Sequence, residues 1–189
     1  MKTHILFVQG GGEGAYREDA LLAGSLAKEL GAGCEVRYPE MPNEASPDYS
    51  IWRSRLAQEL ATMEGEVILV GHSLGASVLV KFLAENHPGM EIAGIFLIAA
   101  PFFGEGGWDS DDLKLPASIG ERLPKNAPIH LYHGRDDEIV PFAQLGLYAR
   151  ELPSAVVHRL DGRNHQLSND LSEIAHDIRP LVARKASQA

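Results

Sequence analysis

The chain lacks the features that define several protein classes. Cys34 is the one cysteine among 189 residues, which excludes an intrachain disulfide framework and a zinc site built from several cysteines. Basic residues are outnumbered, with 17 Lys and Arg against 26 Asp and Glu, and the net charge of −9 disfavours nucleic acid and anionic membranes as partners. The longest apolar run, residues 92–103, is shorter than the roughly 18 residues that a membrane span needs.

Signals for targeting and for metal chemistry are missing as well. The first residues lead directly into a predicted strand without a signal-peptide layout, so we expect a cytoplasmic protein. The chain has no H-E-x-x-H motif and no carboxylate cluster at ligand spacing, so the sequence predicts neither a metal ion nor another cofactor. The length suits one domain, residues 1–189, with a sizeable core.

The chain does contain short apolar runs that alternate with segments of helical spacing. The predicted strands cover residues 5–8, 34–38, 67–70, 92–99, 129–133 and 155–160. The predicted helices cover residues 19–30, 49–63, 76–86, 141–152 and 168–182, the last with Ser168 as its N-cap. This alternation predicts an α/β fold, a three-layer α/β/α sandwich around a parallel sheet of about six strands. Ligands bind such sheets at the carboxyl ends of the strands.

The most informative stretch is G-x-S-x-G at residues 71–75, between a predicted strand and a predicted helix. A serine there lies on a sharp turn, and Gly71 and Gly75 lack the Cβ atoms that would clash. The backbone N–H of Leu74 then lies at a helix N-terminus, where it can face a developing oxyanion. The pattern predicts a nucleophilic Ser73; the alternative is a glycine-rich turn with an incidental serine.

A serine nucleophile needs a base, and the base needs an orienting acid. When the serine lies between strand and helix, the expected chain order is Ser, then Asp, then His. The loop 133–141 follows a predicted strand and contains Asp137, with Asp136 and Glu138 as adjacent competitors. His165 lies in a loop after the last predicted strand, and a surface-loop histidine is its alternative role.

These segments together resemble the α/β-hydrolase family. The matching pieces are GHSLG at 71–75, HGRDDEIVP at 133–141 and GRNH at 162–165. The resemblance implies that Ser73 is the nucleophile and His165 the base. It also selects Asp137 over Asp136 as the acid, because the second segment looks like the family's HG-x-x-D-x-x-V-P loop. The compact layout is similar to small serine hydrolases of the retinoblastoma-binding protein 9 type.

The first loop departs from the family pattern. The family's oxyanion loop usually begins His-Gly, whereas residues 9–11 here read Gln-Gly-Gly. The resemblance implies that the backbone N–H of Gly11, with Gly12 as the alternative, is the oxyanion donor that complements Leu74. A backbone donor does not require the missing histidine, so the expected chemistry stands while the loop conformation stays open.

The expected activity is cleavage of a small-molecule carboxylic ester or thioester through an acyl-enzyme. Phe102, Phe103 and Trp108, in the irregular segment 101–126, are candidates for an apolar substrate pocket or for ordinary core packing. A non-catalytic binding module on the same fold is one alternative. Dinucleotide binding is another, because residues 10–15 fit G-x-G-x-x-A, but no acid ends the second strand to hold a ribose hydroxyl.

Overall fold

One parallel sheet of six strands organises the protein in this computed structural model, which describes residues 2–188. The strands are β1 (Thr3–Val8), β2 (Cys34–Arg37), β3 (Val67–His72), β4 (Ile92–Ile98), β5 (Ile129–Gly134) and β6 (Val156–Leu160). They lie in the order β2-β1-β3-β4-β5-β6, and every neighbouring pair is parallel. The predicted parallel sheet is therefore confirmed. The order of connection reverses at β1, so the loops after β1 and β3 flank the point where such sheets bind ligands.

Helices cover both faces of the sheet. They are α1 (Ala15–Leu30), α2 (Tyr49–Ala61), α3 (Leu74–Glu85), α4 (Ile119–Arg122), α5 (Gln144–Glu151) and α6 (Ser172–Gln188). One apolar core joins the sheet to α1 and α6, and the other joins it to α2, α3, α4 and α5. The predicted three-layer α/β/α sandwich is confirmed. None of the helices described in residues 2–188 is both long and apolar enough to cross a membrane.

The side chains of β1 show why residues 5–8 are all apolar. Ile5 and Phe7 pack into the core that contains α1 and α6, while Leu6 and Val8 pack into the opposite core. All four side chains are fully buried. A strand covered on both faces has no solvent side, so alternation with polar residues is lost.

Four helices begin away from their predicted starts: α3 and α5 by two and three residues, and α1 and α6 by four. Helix α1 begins at Ala15 rather than at residue 19. The last helix begins at Ser172, so the prediction of Ser168 as its N-cap is wrong. Ser168 has φ 56° and ψ 27° within a short 3₁₀ turn, and the carboxylate of Asp170 instead accepts a hydrogen bond from the Ser172 N–H at 3.0 Å. The turn redirects the chain before the helix begins.

Candidate active site

Ser73 joins β3 to α3 in a strained backbone conformation. Its φ is 51° and its ψ −126°, a region that residues with a Cβ rarely adopt. A Cβ on Gly71 would lie 2.6 Å from the Cα of Ala76, and one on Gly75 would lie 2.2 Å from the Gln9 carbonyl oxygen. The turn therefore requires glycine on both sides of the serine, as the sequence predicts. It leaves Ser73 partly exposed at the carboxyl end of the sheet.

Asp137 and His165 are brought together by the loops after β5 and β6. His165 Nδ1 lies 2.8 Å from Asp137 Oδ2, and the Asp137 side chain is fully buried. The other carboxylate oxygen of Asp137 accepts hydrogen bonds from the backbone N–H groups of Ile139 and Val140 at 2.9 and 2.8 Å. Because Nδ1 faces a carboxylate, its proton is held there and Nε2 is left as the basic nitrogen.

A second histidine also supports the acid. His133 Nε2 lies 3.1 Å from Asp137 Oδ2 and 3.0 Å from the carbonyl oxygen of Val140. Burial by itself would raise the pKa of Asp137, but the hydrogen bonds from His133 and His165 outweigh it and lower that pKa well below its usual range. Asp137 is therefore a permanent anion at neutral pH. By contrast, Asp136 is exposed, and it is its backbone N–H that donates, to the Arg163 carbonyl.

Ser73 and His165 lie at the same end of the sheet without a direct hydrogen bond. The Ser73 hydroxyl has no side-chain hydrogen bond to any other residue within 2–188. The two residues are linked through His72, whose ring lies 4.8 Å from the His165 ring between centroids and whose Nε2 lies 3.1 Å from the His165 carbonyl oxygen. Catalytic hydrogen bonds are often long before substrate binds, and they tighten in the complex.

A buried ion pair beneath the serine was not predicted from the sequence. His72 Nδ1 lies 2.8 Å from Asp19 Oδ2, and both side chains are 1% exposed. The same carboxylate accepts hydrogen bonds from the backbone N–H of Gly10 at 2.7 Å and from Gln166 Nε2 at 3.0 Å. Asp19 in α1 therefore connects the loop after β1, the residue before Ser73 and the residue after His165. The Asp19 carboxylate therefore holds three loops of the site by hydrogen bonds.

The contacts of His72 define its charge. Its two ring nitrogens face a carboxylate and a carbonyl oxygen, both acceptors, so both nitrogens carry protons and the ring is an imidazolium. Burial alone would lower the pKa of His72, but the charge and hydrogen bond of Asp19 outweigh it and raise that pKa. Burial likewise would raise the pKa of Asp19, and the charge of His72 reverses the shift. No sequence pattern predicts this pair, because Asp19 lies in α1, far from His72 in the chain.

Gly11, in the loop after β1, lies next to Leu74, the residue that follows Ser73. A Cβ on Gly11 would come within 2.4 Å of Leu74 Cδ2. The N–H of Gly12 donates instead to the carbonyl oxygen of Glu44 at 2.6 Å. The N–H groups of Gly11 and Leu74 have no backbone or side-chain acceptor in the described part of the chain. This arrangement favours Gly11 over Gly12 as the partner of Leu74.

Glu44 organises the loop that follows β1. Its carboxylate accepts hydrogen bonds from the backbone N–H groups of Gly14 and Tyr16 at 2.9 and 2.6 Å, at the N-terminus of α1. Gln9, which replaces the family's usual histidine, donates to the same carboxylate at 2.8 Å and accepts from the Met41 N–H at 2.9 Å. A dinucleotide pyrophosphate would need those helix N–H groups. Because a carboxylate already holds them, the structure disfavours dinucleotide binding.

The three aromatic residues after β4 have different environments. Phe102 is 7% exposed and packs edge-on against Tyr148, with ring centroids 5.1 Å apart. Phe103 is 5% exposed and contacts Trp108 at 6.1 Å. Trp108 remains 39% exposed. Phe102 is thus part of the core, whereas the Phe103–Trp108 pair lies in the irregular segment, whose one helix is the short α4. Their role in a substrate pocket stays a prediction.

A surface recess of about 810 Å³ lies at the other end of the sheet. Its walls come from the end of α3, the start of β4 and the residues before β5, among them Leu83, Ile92 and Ala127. These positions are at the amino ends of the strands, far from Ser73 in a parallel sheet. Despite its volume, this recess is therefore not the candidate active site. The candidate site is the cluster of Ser73, Asp137 and His165 at the carboxyl ends of the strands.

Comparisons with known proteins bear on this arrangement. A family model described as serine hydrolase matches residues 23–169, well over half of the chain. A comparison with curated proteins finds no match. The ydeN gene product of B. subtilis is similar in structure, with a TM-score of 0.69 and 18% identity over 96% of this chain and 100% of that one.

Two further solved structures show the same likeness. A candidate hydrolase of the alpha/beta superfamily from Xanthomonas campestris pv. campestris has a TM-score of 0.61 and 21% identity, covering 100% of both chains. The esterase domain of a Rhodothermus marinus protein has a TM-score of 0.64 and 16% identity, covering 98% of this chain and 87% of that one. At such identities the likeness concerns the fold, and it confirms the predicted α/β-hydrolase architecture.

Proposed function

This chain belongs to the serine hydrolase family, and on that premise we propose that it cleaves a carboxylic ester or thioester through Ser73, His165 and Asp137. The observation that carries the proposal is the 2.8 Å contact between His165 Nδ1 and Asp137, at the same end of the sheet as the strained Ser73. That contact makes His165 Nε2 the available base. The narrower resemblance to the retinoblastoma-binding protein 9 type stays a prediction.

The first half-reaction forms an acyl-enzyme. Ser73 Oγ attacks the carbonyl carbon while His165 Nε2 accepts the hydroxyl proton. The electron pair of the carbonyl moves to its oxygen, and the N–H groups of Leu74 and Gly11 stabilise that oxyanion. Asp137, held anionic by its hydrogen bonds, stabilises the imidazolium that forms on His165. Collapse of the intermediate expels the alcohol or thiol, which takes the proton from His165.

The second half-reaction returns the free enzyme. Water attacks the acyl-enzyme carbonyl and transfers its proton to His165 Nε2, and the same two N–H groups stabilise the second oxyanion. Collapse releases the carboxylic acid, and the proton passes from His165 to Ser73 Oγ. Apart from the substrate and water, every group that acts in these two half-reactions is a side chain or backbone N–H of this chain.

Charge near the site favours uncharged substrates. The segment after Phe103 carries several exposed acids beside the half-exposed Trp108: Glu105, Asp109, Asp111 and Asp112. This segment follows the carboxyl end of β4, and its carboxylates make the potential on that side of the sheet more negative, which disfavours anionic substrates. We therefore propose a neutral ester or thioester with a small acyl group, with Trp108 and Phe103 contacting its apolar part.

Labelling with a fluorophosphonate probe and turnover of p-nitrophenyl acetate test the proposal. Ser73→Ala should abolish labelling and lower kcat by up to about 10⁶-fold, because loss of the nucleophile disables the whole triad. Ser154→Ala is the matched control, since Ser154 is exposed in a turn away from the site and should keep wild-type turnover and labelling.

The alternative outcomes are distinct. A folded wild-type protein that neither reacts with the probe nor turns over any ester or thioester in a panel would favour a non-catalytic binding module on this fold. Labelling and turnover that persist in Ser73→Ala would show that another residue is the nucleophile.

A further inference from the structure

A second cluster of reactive side chains lies on the sheet face that α6 covers. It consists of His130 on β5, His158 on β6 and Asp177 on α6, all partly buried. His130 Nδ1 lies 3.1 Å from His158 Nε2, and Asp177 Oδ2 lies 3.7 Å from the first and 3.4 Å from the second. Two imidazole nitrogens and a carboxylate oxygen thus form a nearly equilateral triangle.

The size of this triangle matches the coordination sphere of zinc. Zinc binds histidine nitrogen and carboxylate oxygen at about 2.0–2.1 Å in tetrahedral geometry, which places the ligand atoms about 3.3–3.4 Å apart. Octahedral geometry at the same bond length would place adjacent ligands only about 2.9 Å apart. The three separations in the cluster scatter around the tetrahedral value.

The metal-free arrangement of the two rings is a hydrogen bond. The His130 and His158 rings are nearly coplanar, at 14°, with centroids 5.3 Å apart, so their facing nitrogens share a proton as N–H···N. Metal binding releases that proton, and both rings turn so that their lone pairs converge on the ion. The three ligand atoms already lie close to the separations that the ion requires.

Neighbouring groups hold the three ligands in place. The Tyr132 hydroxyl donates a hydrogen bond to Asp177 Oδ2 at 2.6 Å, which orients the carboxylate. The Tyr132 ring stacks on His158 with centroids 4.2 Å apart, and His130 stacks on Phe96 at 4.8 Å. Such contacts around ligands set their orientation and metal affinity.

An unpaired carboxylate oxygen lies on the same helix. Glu173 precedes Asp177 by one turn of α6, and its Oε2 is buried with no hydrogen-bond partner within the described residues. A surface recess of about 420 Å³ opens beside both residues and His158. The recess supplies a path for an ion and room for a fourth ligand. The other carboxylate oxygen of Glu173 accepts a hydrogen bond from Arg163 Nη2 at 2.8 Å, so Arg163 balances the charge of Glu173 while Oε2 stays available as a ligand atom.

We propose that His130, His158 and Asp177 bind Zn²⁺ or a similar divalent transition metal, with a water molecule or Glu173 as the fourth ligand. The ligands come from two strands and the last helix, so the ion would link α6 to the edge of the sheet. His130 lies near the start of β5, whereas Asp137 follows its end. The site is therefore separate from the candidate active site, and it does not depend on the proposed hydrolase activity.

Isothermal titration of the chelator-treated full chain with ZnCl₂, and Co²⁺ substitution followed by visible absorption, test this site. We expect one ion per chain and the intense d–d bands of four-coordinate Co²⁺. X-ray absorption of the zinc-loaded wild type should show imidazole scattering from two histidines. Tyr132→Phe should weaken zinc binding by about 10–100-fold, as expected for loss of a group that orients a ligand.

Two variants and one control locate the ion. His158→Gln and Asp177→Asn should each lose zinc binding by more than about 100-fold, since each removes a ligand rather than its support. His176→Gln is the matched control, because His176 is exposed on the same helix and lines the same recess. Circular dichroism checks that each variant folds.

Three results would overturn the proposal. They are no saturable zinc binding by the wild type, retention of wild-type affinity by folded His158→Gln, and loss of binding by His176→Gln. If a ligand variant does not fold, the X-ray absorption spectrum of the zinc-loaded wild type decides the matter. A spectrum without the scattering of two imidazole ligands would overturn the proposal.

Discussion

Asp137→Asn is the substitution that examines the candidate triad most directly. The amide oxygen of asparagine can still accept the backbone N–H groups of Ile139 and Val140, which now bind Oδ1. The amide NH₂ then replaces Oδ2 and faces His165 Nδ1 as a donor. Nδ1 lies 3.0 Å from the retained oxygen as well, but its nearer contact at 2.8 Å would set a donor against a donor. The substitution therefore favours the tautomer with the proton on Nε2, in which His165 cannot accept a proton from Ser73.

The size of the effect follows from that tautomer change. An equivalent exchange in a well-characterised triad lowers kcat by about 10⁴-fold, which corresponds to about 5.5 kcal/mol of transition-state stabilisation. The loss of unfolding free energy should be smaller, about 1–3 kcal/mol, because the asparagine NH₂ would face the N–H donor at His133 Nε2. His133 Nε2 keeps the Val140 carbonyl at 3.0 Å as an acceptor, which places the cost at the low end.

Steady-state assays with p-nitrophenyl acetate at pH 8 measure kcat and KM, and urea titrations measure the unfolding free energy. Asp136→Asn is the control: its carboxylate is exposed, so kcat should stay within a few-fold of wild type. Equal losses in the two variants, or a larger loss in Asp136→Asn, would refute the assignment of Asp137 as the orienting acid. A large loss of kcat in a globally unfolded Asp137→Asn would not count as support, so unfolding midpoints accompany each rate.

Two further predictions concern the backbone and the buried ion pair. Gly75→Ala should lower Tm by several degrees, because its Cβ would lie 2.2 Å from the Gln9 carbonyl oxygen, whereas Gly24→Ala, with nothing within 4 Å in α1, should raise Tm by about 2 °C. Asp19→Asn should lose more unfolding free energy near pH 5 than near pH 9. Because the pKa of His72 is raised on folding, its contribution to the unfolding free energy is complete below about pH 6.5 and is lost as the pH rises through the folded-state pKa. Because the pKa of Asp19 is lowered, its contribution is complete above about pH 3.9 and therefore at both of these pH values.

Differential scanning calorimetry and urea titrations at the two pH values check these expectations. Equal Tm values for Gly75→Ala and Gly24→Ala would mean that the turn tolerates a Cβ and that its glycines are not sterically required. A loss for Asp19→Asn that is the same at both pH values would mean that His72 is neutral in the folded protein.

The sequence alone determined the features that depend on neighbouring residues. The run before Gly71, the two glycines around Ser73 and the apolar spacing after them predicted a strand, a tight turn and a helix, because sterics and burial act over a few residues there. The alternation of such units predicted the parallel sheet. Since carboxyl ends of parallel strands meet at one edge, the loops that hold Asp137 and His165 could be expected near Ser73, although their contact could not be measured from the chain.

Only the tertiary structure decided the contacts between groups distant in the chain. Asp19 on α1 pairs with His72, and Glu44 occupies the N-terminus of α1, so that helix begins earlier than its apolar spacing predicts. The triangle of His130, His158 and Asp177 also forms across three elements. No local pattern encodes such pairs, because a buried charge is stabilised by whichever partner the packed sheet and helices bring within reach, and that partner is set by the strand order.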